Sequence, residues 1–499
     1  MAEQQLLADA IRDQAALSAR LLHHLSLRGG DRNLAVSPAS FHTVLSLLAT
    51  GSTGAHHGQI ISFLGPAGVE AHPTLASHVA ASPSKAVAAS HVAAGSSQLF
   101  SSDEEVDEAD GNHEVAEVVY ATGIWVDSSL RLKPAFAALA ASKYDAVARA
   151  VCFSSSPEQA RLEINEWLEA KTGGRWKELL HEGSIVASTA VVLANALYFR
   201  GYSYDPFDAN LTEDGNFYVS PGRAVRAPFM AGSELHQHMC IGVHPAFKVL
   251  RMRYVGGHHG RFFSMCIYLP DDRDGLPGLL RALSDDPAPE KPTTHTAYSM
   301  NLEVREYMRL VKENENYNRE MMAAMVASWN NRAEPPQLGP PPPPAGEPPH
   351  VPTFDEWVTL HSQTPRRVPV GELRIPKFEA SLRLEASGLL RELGLDLPFY
   401  PAPAGESFSE MLELDEADAL MPMEVSSVVH QCSVHVNEKG TVAAAATELE
   451  MLGFGLLSDD ETAVDFIADH PFLFCIRQED EHSSGVVVFA GQIVNPLLA

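Results

Sequence analysis

The chain is poor in basic residues. It has 36 lysine and arginine residues against 64 aspartate and glutamate residues, a formal net charge of −28. This excess of negative charge repels the phosphates of nucleic acids and of anionic membranes. We therefore expect neither a nucleic acid nor a membrane surface as a partner, and an acidic surface of this kind favours solubility.

Cysteine is scarce as well. There are 5 cysteines, an odd number, and no CxxC motif. Cys266 and Cys475 stand in apolar runs, which is typical of buried free thiols and indicates a reducing compartment. The first residues lack the basic and apolar regions of a signal peptide, and no apolar run reaches membrane-spanning length. We expect an intracellular protein of the cytoplasm or nucleus, with the extracellular space open as an alternative.

The common catalytic and cofactor motifs are absent too. The sequence has no Walker A loop, no GxGxxG, no HExxH and no GxSxG. We therefore expect no enzymatic activity and no cofactor, leaving as an alternative a hydrolase whose triad is assembled from distant residues. The period-2 series His236, His238, Cys240 and His244 would align metal ligands on one strand face, but a half-exposed polar strand explains it equally, so no metal is expected.

Helical and strand patterns alternate irregularly along the chain. Apolar spacing predicts a helix over 4–26 and a second helical region over 41–63 that ends at Gly51 and restarts near Gly58. Strand patterns occur at 187–199, 261–269 and 486–494. There is no regular βαβ alternation, which predicts an α+β fold.

Two segments differ from the rest in composition. Residues 84–116 are rich in alanine and serine and then acidic, typical of a solvated loop, with a docking site for a basic partner as the alternative. Residues 286–370 hold an amphipathic helical pattern at 304–329 and then a proline-rich stretch up to Pro349. We expect a spacer there, with a ligand for aromatic-grooved domains as the alternative.

The most informative stretch is 438–447, which combines Gly440 and Thr441 with four alanines. An alanine run is usually a surface helix, but the side chains alternate as in a strand with one buried face. If Thr441 faces inward, so do Ala443, Ala445, Thr447, Leu449 and Met451. Glu448 and Glu450 then face solvent, and a shift of one residue would bury both of them.

The blocks on either side of this stretch occur in a characteristic order. They are Ser37-Pro38-Ala39-Ser40, Gly123-Ile124-Trp125, Ile164-Asn165-Glu166-Trp167, 192–201 (VLANALYFRG), Pro228-Phe229-Met230, 465–474 (DFIADHPFLF) and 485–496 (GVVVFAGQIVNP). In this order they resemble the serpin family, most closely the plant serpins, over about 1–80, 117–285 and 371–499.

The resemblance implies one serpin domain over 1–499, interrupted by the insertions 84–116 and 286–370. It implies several helices around large antiparallel and mixed sheets, with an exposed reactive-centre loop as bait for a protease. After cleavage the loop inserts into the central sheet and traps the protease. The partner would be a chymotrypsin-like or papain-like protease, and the protein would be a monomer.

The family's functional positions can be transferred residue by residue. The loop hinge would comprise Glu438, Gly440, Thr441, Ala443, Ala445 and Thr447. The seventeenth residue counted from Glu438 is Phe454, so the reactive bond would be Phe454-Gly455, and Phe454 suits a hydrophobic specificity slot. Leu452 and Leu457 are alternative positions because the loop is long. Ser37, Ser40, Asn195 and His430 match the polar cluster where the central sheet opens.

The chain departs from the family at one position that bears on insertion. The family has Trp two residues after the glycine of the FRG block, and this chain has Ser203. The replacement leaves a hole unless Tyr202 or Tyr204 fills it. It favours the alternative function, a non-inhibitory serpin-fold binding or storage protein.

Overall fold

The computed structural model describes residues 2–30, 32–81, 116–243, 246–255, 261–284, 367–441, 463–479 and 485–498. Its α-helices are α1 (Ala2–Gly29), α2 (Pro38–Gly51), α3 (Gly54–Leu64), α4 (Ala71–Ala80), α5 (Pro134–Tyr144), α6 (Pro157–Lys171), α7 (Leu276–Ser284), α8 (Ser387–Glu392) and α9 (Ala404–Ser407).

The first half of the chain supplies strands β1 (Leu34–Val36), β2 (Glu117–Asp127), β3 (Arg131–Leu132), β4 (Ala146–Val151), β5 (Val191–Tyr202), β6 (Glu213–Ser220), β7 (Arg223–Ala231), β8 (His238–Val243), β9 (Phe247–Arg253) and β10 (Phe262–Pro270). The second half supplies β11 (Val368–Pro376), β12 (Phe378–Glu385), β13 (Ala402–Pro403), β14 (Leu412–Glu413), β15 (Pro422–Met423), β16 (Val425–Val436), β17 (Gly440–Thr441), β18 (Val464–Ile467), β19 (Phe472–Glu479) and β20 (Val486–Ile493).

Two large sheets organise these strands. The central sheet has the order β12-β16-β5-β2-β4, and β17 adds to it by pairing with β5. Its middle pair, β16 and β5, is parallel, whereas β12 and β2 flank that pair in antiparallel fashion. The second sheet has the order β1-β20-β19-β10-β9-β8-β11-β7-β6, with β18 attached to β11. Mixed sheets with separate helices confirm the predicted α+β class.

Helix α2 carries the residues nearest the middle of the central sheet. Ser37 caps the helix by accepting a hydrogen bond from the backbone N–H of Ser40, and Pro38 fits the first turn because it needs no amide donor. The helix is buried along nearly its full length and packs in one apolar core with β5 and β20 residues such as Leu193 and Ala490. The opposite face of the central sheet is covered by α6, whose Ile164 packs in a core with β2 and β5 residues.

Several sequence predictions can be compared directly. The predicted first helix and the three predicted strands correspond to α1, β5, β10 and β20. The second helical region restarts at Gly54 rather than near Gly58, so the predicted restart point was wrong. Segments 84–115 and 286–366 lie outside the described residues, and β11 starts at Val368, within the end of the second expected insertion. No helix in the described ranges is long and apolar enough to cross a membrane.

Candidate functional site

The site begins at the seam between β5 and β16. The two strands pair in parallel from Val191 to Tyr198 of β5, with Asn195 opposite His430 and Tyr198 opposite Ser433. Beyond this point they no longer pair, although both strands continue, to Tyr202 and Val436. The central sheet is therefore closed at one end and divided at the other.

A tight turn sends the chain back into this gap. Gly440 pairs with Asn437 across the turn and with Tyr202 of β5, and Thr441 pairs with Gly201. Gly440 has a φ of 121°, a conformation that other residues rarely adopt. A Cβ on it would lie 2.5 Å from the carbonyl oxygen of Gly201, so the close approach to β5 also requires glycine.

Thr441 is fully buried at the end of this returning segment. Its hydroxyl lies 2.7 Å from the hydroxyl of Tyr254, which is also buried. The Tyr254 ring packs edge-on against Phe199 with ring centroids 4.9 Å apart. Burial raises the pKa of Tyr254, outweighing the opposing effect of the Thr441 hydrogen bond, so the phenol stays neutral and can donate a hydrogen bond.

Glu438 fixes the start of the turn. Its carboxylate lies 3.1 Å from the Lys377 ammonium and accepts a 2.9 Å hydrogen bond from the Thr212 hydroxyl. Burial alone would raise the pKa of Glu438, but its own backbone N–H, Thr212 and Lys377 together hold that pKa below its usual range. The carboxylate is therefore ionised at neutral pH and ties the turn to β6 and β12 through the residues just before these strands.

The backbone of the turn is also held. The N–H of Ser203 donates to the carbonyl of Lys439 at 2.9 Å, and the N–H of Phe207 donates to the carbonyl of Glu438 at 2.8 Å. These bonds connect the turn to the segment that follows β5. The hinge is therefore anchored by both backbone and side chains.

At position 203, where the resemblance implies Trp, neither Tyr202 nor Tyr204 takes the place of that side chain. The Ser203 hydroxyl folds back onto the carbonyl of Asp205 at 2.8 Å. Tyr202 lies on the other face of β5, where its hydroxyl accepts a hydrogen bond from Arg200, and Tyr204 is 46% exposed. Neither tyrosine fills the space. Tyr254, bridged to Ser203 through the backbone, is the aromatic residue beside Thr441.

The predicted sheet-opening cluster lies at the closed end of the seam. The backbone N–H of Ser37 donates to Nε2 of His430 at 3.2 Å, so Nε2 is unprotonated. The proton of the neutral ring is then on Nδ1, which donates to Oδ1 of Asn195. Burial lowers the pKa of His430 from 6.5 to about 3, in keeping with a neutral ring.

Two polar atoms of this cluster have no hydrogen-bond partner among the described residues. They are the Ser40 hydroxyl oxygen and Nδ2 of Asn195, and both are buried. Unsatisfied buried polar groups cost free energy, typically about 1–3 kcal/mol each. At the closed seam, Oδ1 of Asn195 therefore accepts a hydrogen bond from His430, whereas Nδ2 of Asn195 is left without a partner among the described residues.

The remaining predicted positions fall into two groups. Ala443, Ala445, Thr447, Phe454 and Gly455 lie outside the described residues. His236 belongs to a short 3-10 turn and stacks on Phe207, so it does not share the strand face suggested by the period-2 spacing. Within the described ranges no three His, Cys, Asp or Glu residues are grouped as a metal site.

Sequence reasoning missed Lys377, Thr212 and Tyr254. Each belongs to a segment far from residue 438 in the chain, and no local motif marks it. Their role follows only from strand pairing, because β16 and β5 border the seam and β12 lies beside β16. Cys266 and Cys475, in contrast, are buried free thiols as predicted.

Comparison with known proteins agrees with this geometry. The family model described as Serpin (serine protease inhibitor) matches residues 12–307 and 350–496. The chain belongs to the serpin family. Residues 308–349 of this serpin fall outside the family match.

Plant serpins are among its most similar relatives. The serpin is 34% identical to Serpin-ZXA of Oryza sativa subsp. japonica, with 98% of each chain covered. It is 34% identical to Serpin-Z1B of Triticum aestivum, covering 98% of this chain and 97% of the relative. The solved structure of Arabidopsis AtSerpin1 in its native stressed conformation matches with a TM-score of 0.66 and 30% identity, covering 98% of this chain and 99% of that one.

Proposed function

We propose that this serpin is an intracellular, monomeric suicide inhibitor of a protease, and that it is not itself an enzyme. The target's nucleophile attacks the carbonyl carbon of Phe454 and forms an acyl-enzyme, with Gly455 leaving as the new amino terminus. The loop then inserts between β5 and β16 before water can hydrolyse the acyl bond. The small number of cysteines, none of them in a disulfide among the described residues, supports a reducing compartment.

The observation that carries this proposal is the seed of an additional strand in the gap between β5 and β16. Gly440 and Thr441 already pair with β5 in antiparallel register. A loop released by cleavage would therefore extend a strand that has begun rather than start a new one. Strand extension adds hydrogen bonds without the cost of a new nucleus, which supports rapid insertion.

The register of the seed also supports the assignment of the loop residues. With Thr441 opposite Gly201, the same register would bring Ala443 opposite Phe199 and Thr447 opposite Asn195. On the other side, the Asn437–Gly440 bridge extends to the pair His430 and Thr447. The pairing with β5 and the pairing with β16 thus predict the same position for Thr447, between Asn195 and His430.

Thr447 is chemically suited to that position. Insertion must separate Asn195 from His430, which breaks their hydrogen bond. A threonine hydroxyl between them could accept from Nδ2 of Asn195, which has no hydrogen-bond partner in the part of the chain that the structure describes. The alanines at 443 and 445 place little bulk against a core that includes Phe199 and Leu197. The residues at these three positions therefore support insertion of this segment between β5 and β16.

The residue at the proposed cleavage point suggests the target. Phe454 would fill the hydrophobic slot of a chymotrypsin-like protease, and a papain-like cysteine protease forms the same type of acyl bond. No lysine or arginine occurs between 440 and 476, which disfavours a trypsin-like target.

The test is incubation with chymotrypsin, papain and trypsin, followed by denaturing electrophoresis and mass spectrometry. We expect a covalent complex with chymotrypsin or papain and a released C-terminal fragment that starts at Gly455. Trypsin is the matched negative control. Clean cleavage at Gly455 without a complex would indicate the non-inhibitory binding or storage role, which the serine at position 203 favours. A fragment starting elsewhere would show that Phe454 is not the cleaved residue.

A further inference from the structure

The Tyr254 hydroxyl is the side-chain group that holds Thr441 in the sheet. Tyr254 follows β9, and its side chain reaches the end of β5 from the other sheet. Its oxygen lies 2.7 Å from that of Thr441. Both side chains are at most 5% exposed, so water cannot replace either partner without opening of the gap.

The surroundings of this contact leave it little freedom. A Cβ on Gly201 would lie 2.8 Å from the Tyr254 ring and 2.7 Å from the Phe199 ring, so both rings cover the β5 position that Thr441 pairs with. The Phe199 ring also packs on Phe263 with centroids 5.3 Å apart. Tyr254 is therefore fixed from several sides, and its hydroxyl points at the seed strand.

Because position 203 is a serine in this chain, the docking of Thr441 depends on its hydrogen bond with Tyr254. Position 203 lies two residues beyond Gly201 and, by strand alternation, on the same face as Thr441. A large side chain there would cover the start of the seed strand. The serine instead turns to the Asp205 carbonyl and leaves Thr441 without that cover. The phenol of Tyr254 remains as the neighbouring side chain that bonds to it.

We propose that Tyr254 is a positioning residue for loop insertion, which keeps Thr441 in the first register of the additional strand. This proposal rests on the proposed inhibitory function for its consequence, but the docking of Thr441 can be measured without a protease. A docked hinge begins insertion in the correct register. An undocked hinge must first reach the correct register, and this delay allows water to hydrolyse the acyl-enzyme before insertion is complete.

The first measurement is hydrogen exchange of the intact protein, read from peptides that contain Gly440 and Thr441. Tyr254→Phe and Thr441→Val remove one hydroxyl each at nearly constant volume. We expect each to raise exchange by about fivefold or more, as the loss of one buried hydrogen bond predicts. The double variant should exchange no faster than the faster single variant. Thr441→Ser, which keeps a hydroxyl, should retain most of the protection.

The second measurement separates positioning from general stability. With the target protease, Tyr254→Phe should raise the molar ratio of serpin needed for full inhibition, while the second-order rate of protease association stays unchanged. A variant that is merely less stable would not shift this partition at unchanged association. Tyr204→Phe, which removes an exposed tyrosine hydroxyl nearby, is the matched control for both measurements.

Each result decides one point. Unchanged exchange in Tyr254→Phe overturns the proposal. Faster exchange with an unchanged inhibition ratio also overturns it, because docking would then have no bearing on insertion. If the wild-type protein traps no protease, the proposed function fails, and hydrogen exchange alone decides whether Tyr254 holds Thr441.

Discussion

At the scale of single residues, His430 shows how burial sets the protonation state of the closed seam. The folded protein holds its ring neutral, because burial lowers the pKa of His430 from 6.5 to about 3. In the unfolded chain His430 binds a proton below about pH 6.5, whereas in the folded chain it does so only near pH 3. Stability from this group is therefore complete above pH 6.5 and is lost as the pH falls toward 3.

This difference predicts a measurable acid sensitivity. As the pH falls from 6.5 to 3, the free energy of unfolding should decrease by up to about 1.4 kcal/mol per pH unit on account of His430. His430→Gln should reduce the slope of stability against pH by up to one proton, measured by urea unfolding from pH 7 to pH 4. His435→Gln, on the same strand but exposed, is the control. An unchanged slope in His430→Gln would contradict the neutral buried ring.

At the scale of elements, the seed strand β17 determines what the hinge tolerates. Thr441 is fully buried between β5 and the Tyr254 ring, and an arginine in its place would bury a charge without a partner. Such burial costs several kcal/mol. The hinge should therefore leave the sheet before any protease arrives.

We expect Thr441→Arg to be cleaved by the target protease at the normal rate and to form little covalent complex. Val442→Arg is the control, since in an inserted strand alternation would turn position 442 to the opposite face. Electrophoresis of equimolar mixtures measures both outcomes. If Thr441→Arg still traps protease with an unchanged inhibition ratio, insertion does not proceed through this strand.

The same element shows where sequence reasoning succeeds and where it stops. Alternation of small residues predicts that Thr441 faces inward, and the buried Thr441 of β17 fits that pattern. Local patterns also identify β5, β10 and β20. The partners Tyr254 and Lys377 carry no local signal, because they meet the hinge only through the pairing of strands that are distant in the chain. The restart of the second helical region was misplaced because Gly58, the predicted restart point, lies inside α3, which begins at Gly54.

At the scale of the whole molecule, the match to the serpin family model is interrupted between α7 and β11. The family match omits 308–349, and α7 ends at Ser284 while β11 starts at Val368. We propose that this segment, like 84–116, is an insertion that the fold does not require. Loop length alone contributes little to stability, since each doubling costs only about 0.6 kcal/mol.

Deletion of 308–349 should therefore preserve cooperative unfolding, with a midpoint within a few degrees of the wild type, and cleavage at Phe454. Calorimetry and limited proteolysis measure these properties. Replacement of the same residues by a glycine-serine linker of equal length is the control for the change in loop length. Aggregation or loss of cooperativity in both variants would show that the segment packs on the body.

The position of the seed strand also determines how far an inserted loop would extend along β5. Extended at the present register, the strand from Thr441 would reach the start of β5 when Met451 faces Val191. At about 3.3 Å per residue this path measures roughly 33 Å, comparable to the width of a small protein domain. Phe454 lies only three residues further along the chain. A protease bonded there would be carried from one end of the central sheet to the other, so the length of β5 fixes how far the captured enzyme travels.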